Sequence, residues 1–338
     1  MKKILMDGGT TNLRISLLGE DDSVIGLYQA PCGVARTAVD GHNGALRQAL
    51  HDGIAQLLEE HGVLPEEIEI CAAYGMLTSG LGLWEIPHVQ APAGVDELRA
   101  AQTERLFPDV APFPIRLLPG VRNAGQTTGP DTLTDEDMMR GEETEAVGLR
   151  RLLGESGPCV LVLPGSHNKL IHMDAQGRIL RCMTTLSGEL LSALTNHTIL
   201  ADAVDRRFAD PRSYDAEMVA LGAREARTSG IGRAAFAGRI LRTLGGCSPE
   251  RTAYYLLGVV TQTDADAMAC FLRRIEDPSP RVCIAGKEPV SRAIRQVFTE
   301  QGVGCVCATP EQSRLMGLRG ALLLTSSRGG EGQTKAKE

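Results

Sequence analysis

The sequence predicts an α/β protein with two related halves, and three observations support this fold class. Segments with strand-like and helical spacing of apolar residues alternate along most of the 338 residues. Residues 3–28 have the order strand, small polar turn, strand, turn, strand. The same order returns at residues 160–180 without strong sequence identity. We therefore expect two related halves, each with a mixed sheet that its opening hairpin joins.

The elements of the first half follow from the spacing of its apolar residues. They are strands at residues 4–6, 13–17, 24–28 and 67–73 and a helix at residues 44–60. The glycine-rich segment after the last of these strands contains the only tryptophan, Trp84. This segment is either a packed structural loop or a wall of a substrate site.

A polar segment at residues 126–137 predicts a linker or surface loop, and a helix begins near Gly141. The elements that follow are strands at residues 160–163, 170–173, 179–180, 281–285 and 302–307, a mostly helical region at 187–274, and helices at 290–301 and 310–324. We place the two domains at residues 1–140 and 141–325. Residues 326–338 have nothing to bury and should form a disordered tail.

Composition narrows the classes of partner. A net charge of -7 and an aromatic content of 4% argue against a nucleic-acid surface. No stretch of 18 apolar residues and no apolar signal segment occurs, so we expect a cytoplasmic protein without a membrane partner. Nine scattered cysteines form no Cys-x-x-Cys pair, and reduced, buried thiols are the expected state. The oligomeric state is left open, with a homodimer as one alternative.

The first predicted turn has the chemistry of a phosphate site. Glycine at position 9 permits close backbone approach, and Thr10 and Thr11 add hydroxyl donors for anionic oxygens. Asp7 suits a magnesium ion held through water, and Arg14 could meet a terminal phosphate. Asp-Gly-Gly is also ordinary hairpin chemistry, so a plain turn is the alternative. Neither a Walker loop nor a Gly-x-Gly-x-x-Gly turn follows this strand.

Three features follow one another along the chain: the first predicted turn, the second predicted turn and a late strand–Ala–Gly–helix junction. This order resembles the fold shared by actin, Hsp70 and the sugar kinases. The resemblance implies a two-lobed actin-like ATPase fold with mixed sheets and a central cleft. It also implies three groups of nucleotide-binding residues, which are Asp7, Gly9, Thr10, Thr11 and Arg14 in the first turn, Gly165 and Ser166 in the second, and Ala285 and Gly286 at the junction.

Four motifs narrow the resemblance to one family. The segments at residues 7–14, 139–144, 163–169 and 183–190 look like those of the 2-dehydro-3-deoxygalactonokinase family. That resemblance, which covers residues 1 to about 325, implies ATP- and magnesium-dependent phosphorylation of the terminal hydroxyl of 2-keto-3-deoxygalactonate. Two residues depart from the family's pattern: Gly8 stands where the family usually has Trp, and Ser166 where it usually has Thr. The first departure bears on substrate choice.

A catalytic base is expected at the start of the helix near Gly141. Glu142 and Glu143 lie in its first turn, where free amides and the helix dipole favour an ionised carboxylate. Distant sugar kinases place their base at a similar helix start, which favours Glu142, with Glu143 as a helper or structural partner. The alternative is a simple charge bias at a helix N-terminus.

A sugar-acid carboxylate requires an arginine fork or several amide donors. Arg140, Lys169, Asn12 and Arg36 are candidates in that order, and solvated surface charges are the alternative. Further candidates for phosphate or substrate contact are His167, Trp84 and Glu189. Two rival functions remain: a kinase of another sugar or sugar acid on this scaffold, and a nucleotide-binding regulator without an acceptor.

Overall fold

The computed structural model describes residues 1–125, 129–276 and 280–326. The chain divides into two compact units, of which the first combines Met1–Gly154 with the described residues from Leu315 onward. The second unit is Glu155–Arg314. This division differs from the expected one in two ways: the first boundary lies at 154 instead of 140, and the C-terminal helix returns to the first unit.

The first unit begins with the predicted hairpin. Its strands are β1 (Lys2–Gly8), β2 (Leu13–Leu18), β3 (Val24–Ala30), β4 (Ile68–Gly75), β5 (Val89–Gln90), β6 (Thr103–Arg105), β7 (Ile115–Leu117), β8 (Val121–Arg122) and β9 (Met138–Met139). Its helices are α1 (Val34–Asp40), α2 (Gly44–Glu60), α3 (Val95–Ala100) and α4 (Glu142–Leu153), with short 3-10 helices at Pro65–Glu67 and Met76–Thr78. The predicted helix at 44–60 is confirmed, whereas α1 was not predicted.

The second unit repeats this opening. Its strands are β10 (Cys159–Leu163), β11 (Asn168–Met173), β12 (Ile179–Thr185), β13 (Arg281–Ile284) and β14 (Cys305–Cys307). Its helices are α5 (Ser187–Asn196), α6 (Ala216–Ser229), α7 (Ile231–Thr243), α8 (Pro249–Leu272) and α9 (Val290–Glu300), with 3-10 helices at Asp202–Val204 and Pro211–Ser213. The last helix, α10 (Pro310–Thr325), begins in this unit and continues into the first.

The two main sheets share one pattern of strand pairing. The first has the order β3-β2-β1-β4-β7-β6 and the second β12-β11-β10-β13-β14. In each, the three opening strands pair antiparallel and the next two strands add in parallel. A separate three-stranded sheet, β5-β8-β9, lies in the first unit. The predicted α/β class with two related, mixed sheets is confirmed.

Close packing of two helices explains the domain boundary. A Cβ at Gly148 of α4 would overlap the Met316 carbonyl, and a Cβ at Gly320 of α10 would overlap the Thr144 carbonyl. Only glycine permits the two helix backbones to approach this closely. This tertiary contact joins α4 to the part of α10 that belongs to the first unit, and the local sequence pattern does not reveal it.

The expectation of buried thiols holds for some of the cysteines. None of the nine cysteines is in a disulfide, four of them are buried, and Cys307 is exposed. No helix among the described residues is long and apolar enough to span a membrane. Of the predicted linker at 126–137, the first three residues lie outside the described part, as does the tail from residue 327.

Candidate active site

The first predicted turn joins β1 to β2 and is held mainly by backbone groups. The Gly9 amide donates to the Asn12 carbonyl at 2.9 Å, so it closes the turn. The amides of Val34 and Ala35, at the start of α1, donate to the Gly9 and Thr10 carbonyls at 3.2 and 2.9 Å. These contacts leave the side chains of residues 10–12 exposed. The hydroxyls of the two threonines are therefore the donors that the turn can offer to a phosphate.

Asp7 lies at the end of β1 beside a weak ionic partner. It is paired with Arg14 across the antiparallel strands, and the guanidinium lies 3.5 Å from its carboxylate. Burial raises the pKa of Asp7, Arg14 lowers it, and Glu142 raises it further. The side chain keeps 33% of its surface exposed. A partly buried carboxylate with one distant cation and an acidic neighbour fits a hydrated magnesium ion, because the added positive charge would favour its ionised form.

Two acidic groups beside Asp7 escaped the sequence analysis. Tyr74 of β4 is in parallel register with Asp7, and burial, followed by the charges of Asp7 and Glu145, raises its pKa. Burial also raises the pKa of Glu145, with contributions from Asp7 and Glu142. Glu145 follows Glu142 by three residues on α4, a spacing that places both on one helix face. That spacing was a usable sequence signal, whereas the position of Tyr74 depends on strand register.

The two glutamates at the start of α4 have different environments. Glu143 is 0% exposed, and its carboxylate accepts the Gly141 amide at 2.8 and 2.9 Å. Burial and the neighbouring charge of Glu142 raise the pKa of Glu143 to about 8. Glu142 is partly exposed and accepts the Arg140 amide at 3.1 Å. Glu143 therefore braces the helix start, and Glu142 is the more exposed of the two carboxylates.

The guanidinium of Arg140 is bound to the segment that contains the tryptophan. It donates to the carbonyls of Thr78 and Ile86 at 2.7 and 2.9 Å and to the Thr78 hydroxyl at 3.0 Å. Its Nη2 also lies 3.2 Å from both ring nitrogens of His88. Burial lowers the pKa of Arg140. These contacts make Arg140 a clamp between the segment that precedes α4 and the 78–88 segment.

Trp84 lies on this clamped segment. Its side chain is 43% exposed, and the guanidinium of Arg105 lies 3.9 Å from the ring centre. Such stacking orients the ring and leaves part of its surface to solvent. Both alternatives from the sequence, a structural loop and a substrate wall, are compatible with this placement.

Glycine at position 8 has a packing reason. A Cβ at Gly8 would overlap the side chain of Leu77, which is fully buried. Gly75, with φ of +68°, approaches the Gly8 carbonyl so closely that its own Cβ would lie 2.6 Å from that oxygen. Leu77 therefore fills the space that a side chain at position 8 would need.

The second predicted turn joins β10 to β11. The Gly165 amide donates to the side-chain oxygen of Asn168 at 2.9 Å, and Ser166 is exposed. A Cβ at Gly188 would overlap the Gly165 carbonyl, while the Glu189 amide donates to the Ser166 carbonyl at 3.0 Å. The start of α5 thus lies against the turn, which can offer the Ser166 hydroxyl to a phosphate.

The remaining candidates are placed as follows. Nε2 of His167 lies 3.0 Å from the Glu189 carboxylate, and both side chains are partly exposed. Lys169 is buried and donates to the Thr184 hydroxyl at 2.7 Å. Arg36 is exposed on α1 and pairs with Asp40 at 2.7 Å.

The third predicted site lies beside the second turn. The Ala285 amide donates to the Val162 carbonyl at 2.9 Å, and a Cβ at Gly286 would lie 2.9 Å from the Cδ atom of Pro164. The second unit therefore brings Gly165, Ser166, Ala285 and Gly286 to one end of its sheet. Among the described residues, no group of three or more His, Cys, Asp or Glu side chains is placed to hold a metal ion by itself.

Comparisons with known proteins agree on one family. The family model described as 2-keto-3-deoxy-galactonokinase matches residues 7–321. A relative from Rhizobium meliloti (strain 1021), named as a probable 2-dehydro-3-deoxygalactonokinase, is 31% identical over 199 residues, which are 59% of this chain and 58% of the relative. The Escherichia coli (strain K12) 2-dehydro-3-deoxygalactonokinase is 26% identical over 303 residues, with 89% of this chain and 90% of the relative covered.

The fold is shared with a solved structure. A crystal structure from Sinorhizobium meliloti, assigned to a 2-dehydro-3-deoxygalactonokinase protein, superposes with a TM-score of 0.72 at 23% identity. The superposition covers 95% of this chain and 98% of that one.

Proposed function

Because the chain belongs to the 2-keto-3-deoxy-galactonokinase family, we propose that it transfers phosphate from ATP to the terminal 6-hydroxyl of 2-dehydro-3-deoxy-D-galactonate. The proposal includes Mg²⁺ as the metal and a cytoplasmic location, where ATP is available. One observation carries the assignment of the site: a partly exposed Asp7, paired with Arg14, lies in the field of Glu142 within the same unit.

Each group has a distinct task in this reaction. Phosphoryl transfer depends mainly on positioning and on neutralising charge, and bound MgATP supplies the transferable phosphoryl group. Asp7 would hold the metal through its water molecules, and Thr10, Thr11 and Arg14 would donate to phosphate oxygens of the bound nucleotide. Glu142 accepts the proton of the acceptor hydroxyl.

Other residues shape the site without meeting the reacting atoms. Glu143 fixes the Gly141 amide, and Arg140 holds the 78–88 segment on which Trp84 lies. The sugar-acid carboxylate then has Asn12, Arg36 and Lys169 as candidate partners, and Glu189 can accept from a sugar hydroxyl. We assign adenine-side contacts to Ala285 and Gly286, and phosphate contacts to Gly165, Ser166 and His167.

A kinase of another sugar acid is the second candidate, and Gly8 favours it. The tryptophan that the family resemblance implies at this position is absent, and Leu77 fills the space beside Gly8. A different wall beside the phosphate turn would change which acceptor fits.

The test is ADP release from MgATP with a panel of acceptors. We expect 2-dehydro-3-deoxygalactonate to stimulate release more strongly than 2-dehydro-3-deoxygluconate or simple hexoses. Preference for another sugar acid would support the second candidate. Release that no acceptor stimulates would contradict both and favour a nucleotide-binding regulator.

A further inference from the structure

Asp264, in the middle of α8, is a buried carboxylate that the proposed reaction does not use. It is 3% exposed, and its three partners are neutral donors. Asn168 donates at 2.9 Å, Thr185 at 2.6 Å and Ser187 at 2.5 Å. The carboxylate thus receives a dense set of short hydrogen bonds inside the second unit.

Burying a carboxylate without a cation is costly, so each of these donors has to be held in place. Burial raises the pKa of Asp264, and the hydrogen bonds from Ser187, Thr185 and Asn168 lower it. Loss of any one donor would leave a buried charge less satisfied. The carboxylate therefore fixes the positions of the three donor groups, and the three hydrogen bonds fix the position of the carboxylate.

The three donors belong to three different parts of the site. Asn168 is the first residue of β11, and its other side-chain atom, Oδ1, accepts the Gly165 amide. Thr185 ends β12, and Ser187 begins α5. One carboxylate consequently connects the second turn to the end of a strand and to the start of the helix that lies against that turn.

The opposite side of the turn is held by the same helix start. The Glu189 amide donates to the Ser166 carbonyl, and Gly188 permits this approach. On one side, the turn that contains Ser166 is therefore held by Asn168, which donates to Asp264. On the other side it is held by α5, whose first residue, Ser187, also donates to Asp264.

We propose that Asp264 is a positioning residue for nucleotide phosphates, because it fixes the second turn through Asn168 and the start of α5 through Ser187. The inference rests on the proposed function, in which Ser166 contacts a phosphate of ATP. Asp264 itself meets no phosphate. Its removal loosens the turn, so the binding of the triphosphate weakens more than recognition of the sugar acid, because the candidate partners Asn12 and Arg36 lie outside the segments that Asp264 anchors.

The experiment compares Asp264→Asn and Asp264→Ala with the control Thr261→Val. Thr261 is also buried in α8, and its hydroxyl donates to the Leu257 carbonyl of the same helix. Calorimetry measures the affinity for MgATP without acceptor, steady-state kinetics give KM for ATP and for the sugar acid, and thermal unfolding reports stability.

We expect Asp264→Asn to weaken MgATP binding about tenfold, because it retains one acceptor and the shape, and Asp264→Ala to weaken it further. KM for ATP should rise in parallel, KM for the sugar acid should rise less, and all values for Thr261→Val should stay near wild type. Should Asp264→Ala fail to fold, Asn168→Ala removes the link to Gly165 and should give the same selective loss.

A folded Asp264→Asn or Asn168→Ala protein with wild-type affinity for MgATP would overturn the inference, as would equal increases in both KM values. The proposed function can fail separately. A wild-type protein that binds MgATP but phosphorylates no acceptor contradicts the kinase proposal and leaves the affinity comparison decisive. A wild-type protein that does not bind MgATP contradicts both.

Discussion

The two predicted phosphate turns lie at equivalent places in the two sheets but are held by different kinds of contact. In the first, backbone groups close the turn, and amides at the start of α1 donate to carbonyls of the turn. In the second, the Gly165 amide depends on the Asn168 side chain, which in turn depends on Asp264. The first turn can therefore vary its side chains without losing shape, whereas the second cannot.

The largest effect is expected for Asp7, at the end of β1 beside the first turn. Replacing Asp7 by Ala should lower kcat about 1,000-fold, because the metal loses its carboxylate and charge on the transferring group is less well neutralised. The melting temperature should not fall, since a partly buried, poorly paired charge is removed. Kinetics and thermal unfolding of the same preparation test both statements, and a large loss of stability would contradict a backbone-held turn.

A somewhat smaller loss is expected for the proposed base. Glu142→Gln keeps the shape of the side chain but cannot accept the proton, so kcat should fall about 100- to 1,000-fold. Glu97→Gln is the matched control, because Glu97 is an exposed glutamate in the first turn of α3 that accepts the Gly94 amide. Near-full turnover of Glu142→Gln would show that another group is the base.

Two asparagines near the ends of the turns sharpen the comparison directly. Asn168→Ala should destabilise the protein by about 1–3 kcal/mol, because a buried hydrogen-bonded side chain is lost beside Asp264. Asn12→Ala should change the free energy of unfolding by less than about 0.5 kcal/mol, since its side chain is exposed. Urea unfolding of both variants measures the difference. Equal losses would remove the distinction between the two turns.

The last prediction concerns Glu143, which holds the start of α4 through the Gly141 amide. Folding raises the pKa of Glu143 from its ordinary 4.5 to about 8, so the folded state holds a proton that the unfolded state releases. Stability that is present below pH 4.5 is therefore lost as pH rises through about 8. Glu143→Gln should flatten part of this decline in melting temperature between pH 5 and 8.5. An unchanged decline would place its origin in other groups, such as Asp7 or Glu145.

The sequence predicted the repeated hairpins, the strands that follow them and the long helices, because apolar periodicity alone defines these elements. It missed α1, which spans seven residues and has no side-chain cap. The domain boundary was displaced because the contact of α4 with α10 depends on glycines far apart in sequence.

The same difference between local sequence signals and tertiary contacts applies to the site residues. Turn residues with local chemistry, such as Asp7, Thr10 and Ser166, could be selected from the sequence, and their roles in binding stay predictions. The difference between Glu142 and Glu143 could not be predicted, because it depends on which carboxylate the fold buries. Asp264 gave no distinctive local signal, because α8 also contains Glu250 and Asp266, and its partners come from three other elements.

The account is tested most directly by the phosphorus-containing products formed from MgATP and 2-dehydro-3-deoxygalactonate. Phosphorus NMR of the complete reaction should show ADP and a sugar-acid phosphate monoester in equal amounts, with the phosphate on the terminal hydroxyl. Formation of ADP with inorganic phosphate, and no monoester, would contradict an alcohol acceptor aligned with Glu142.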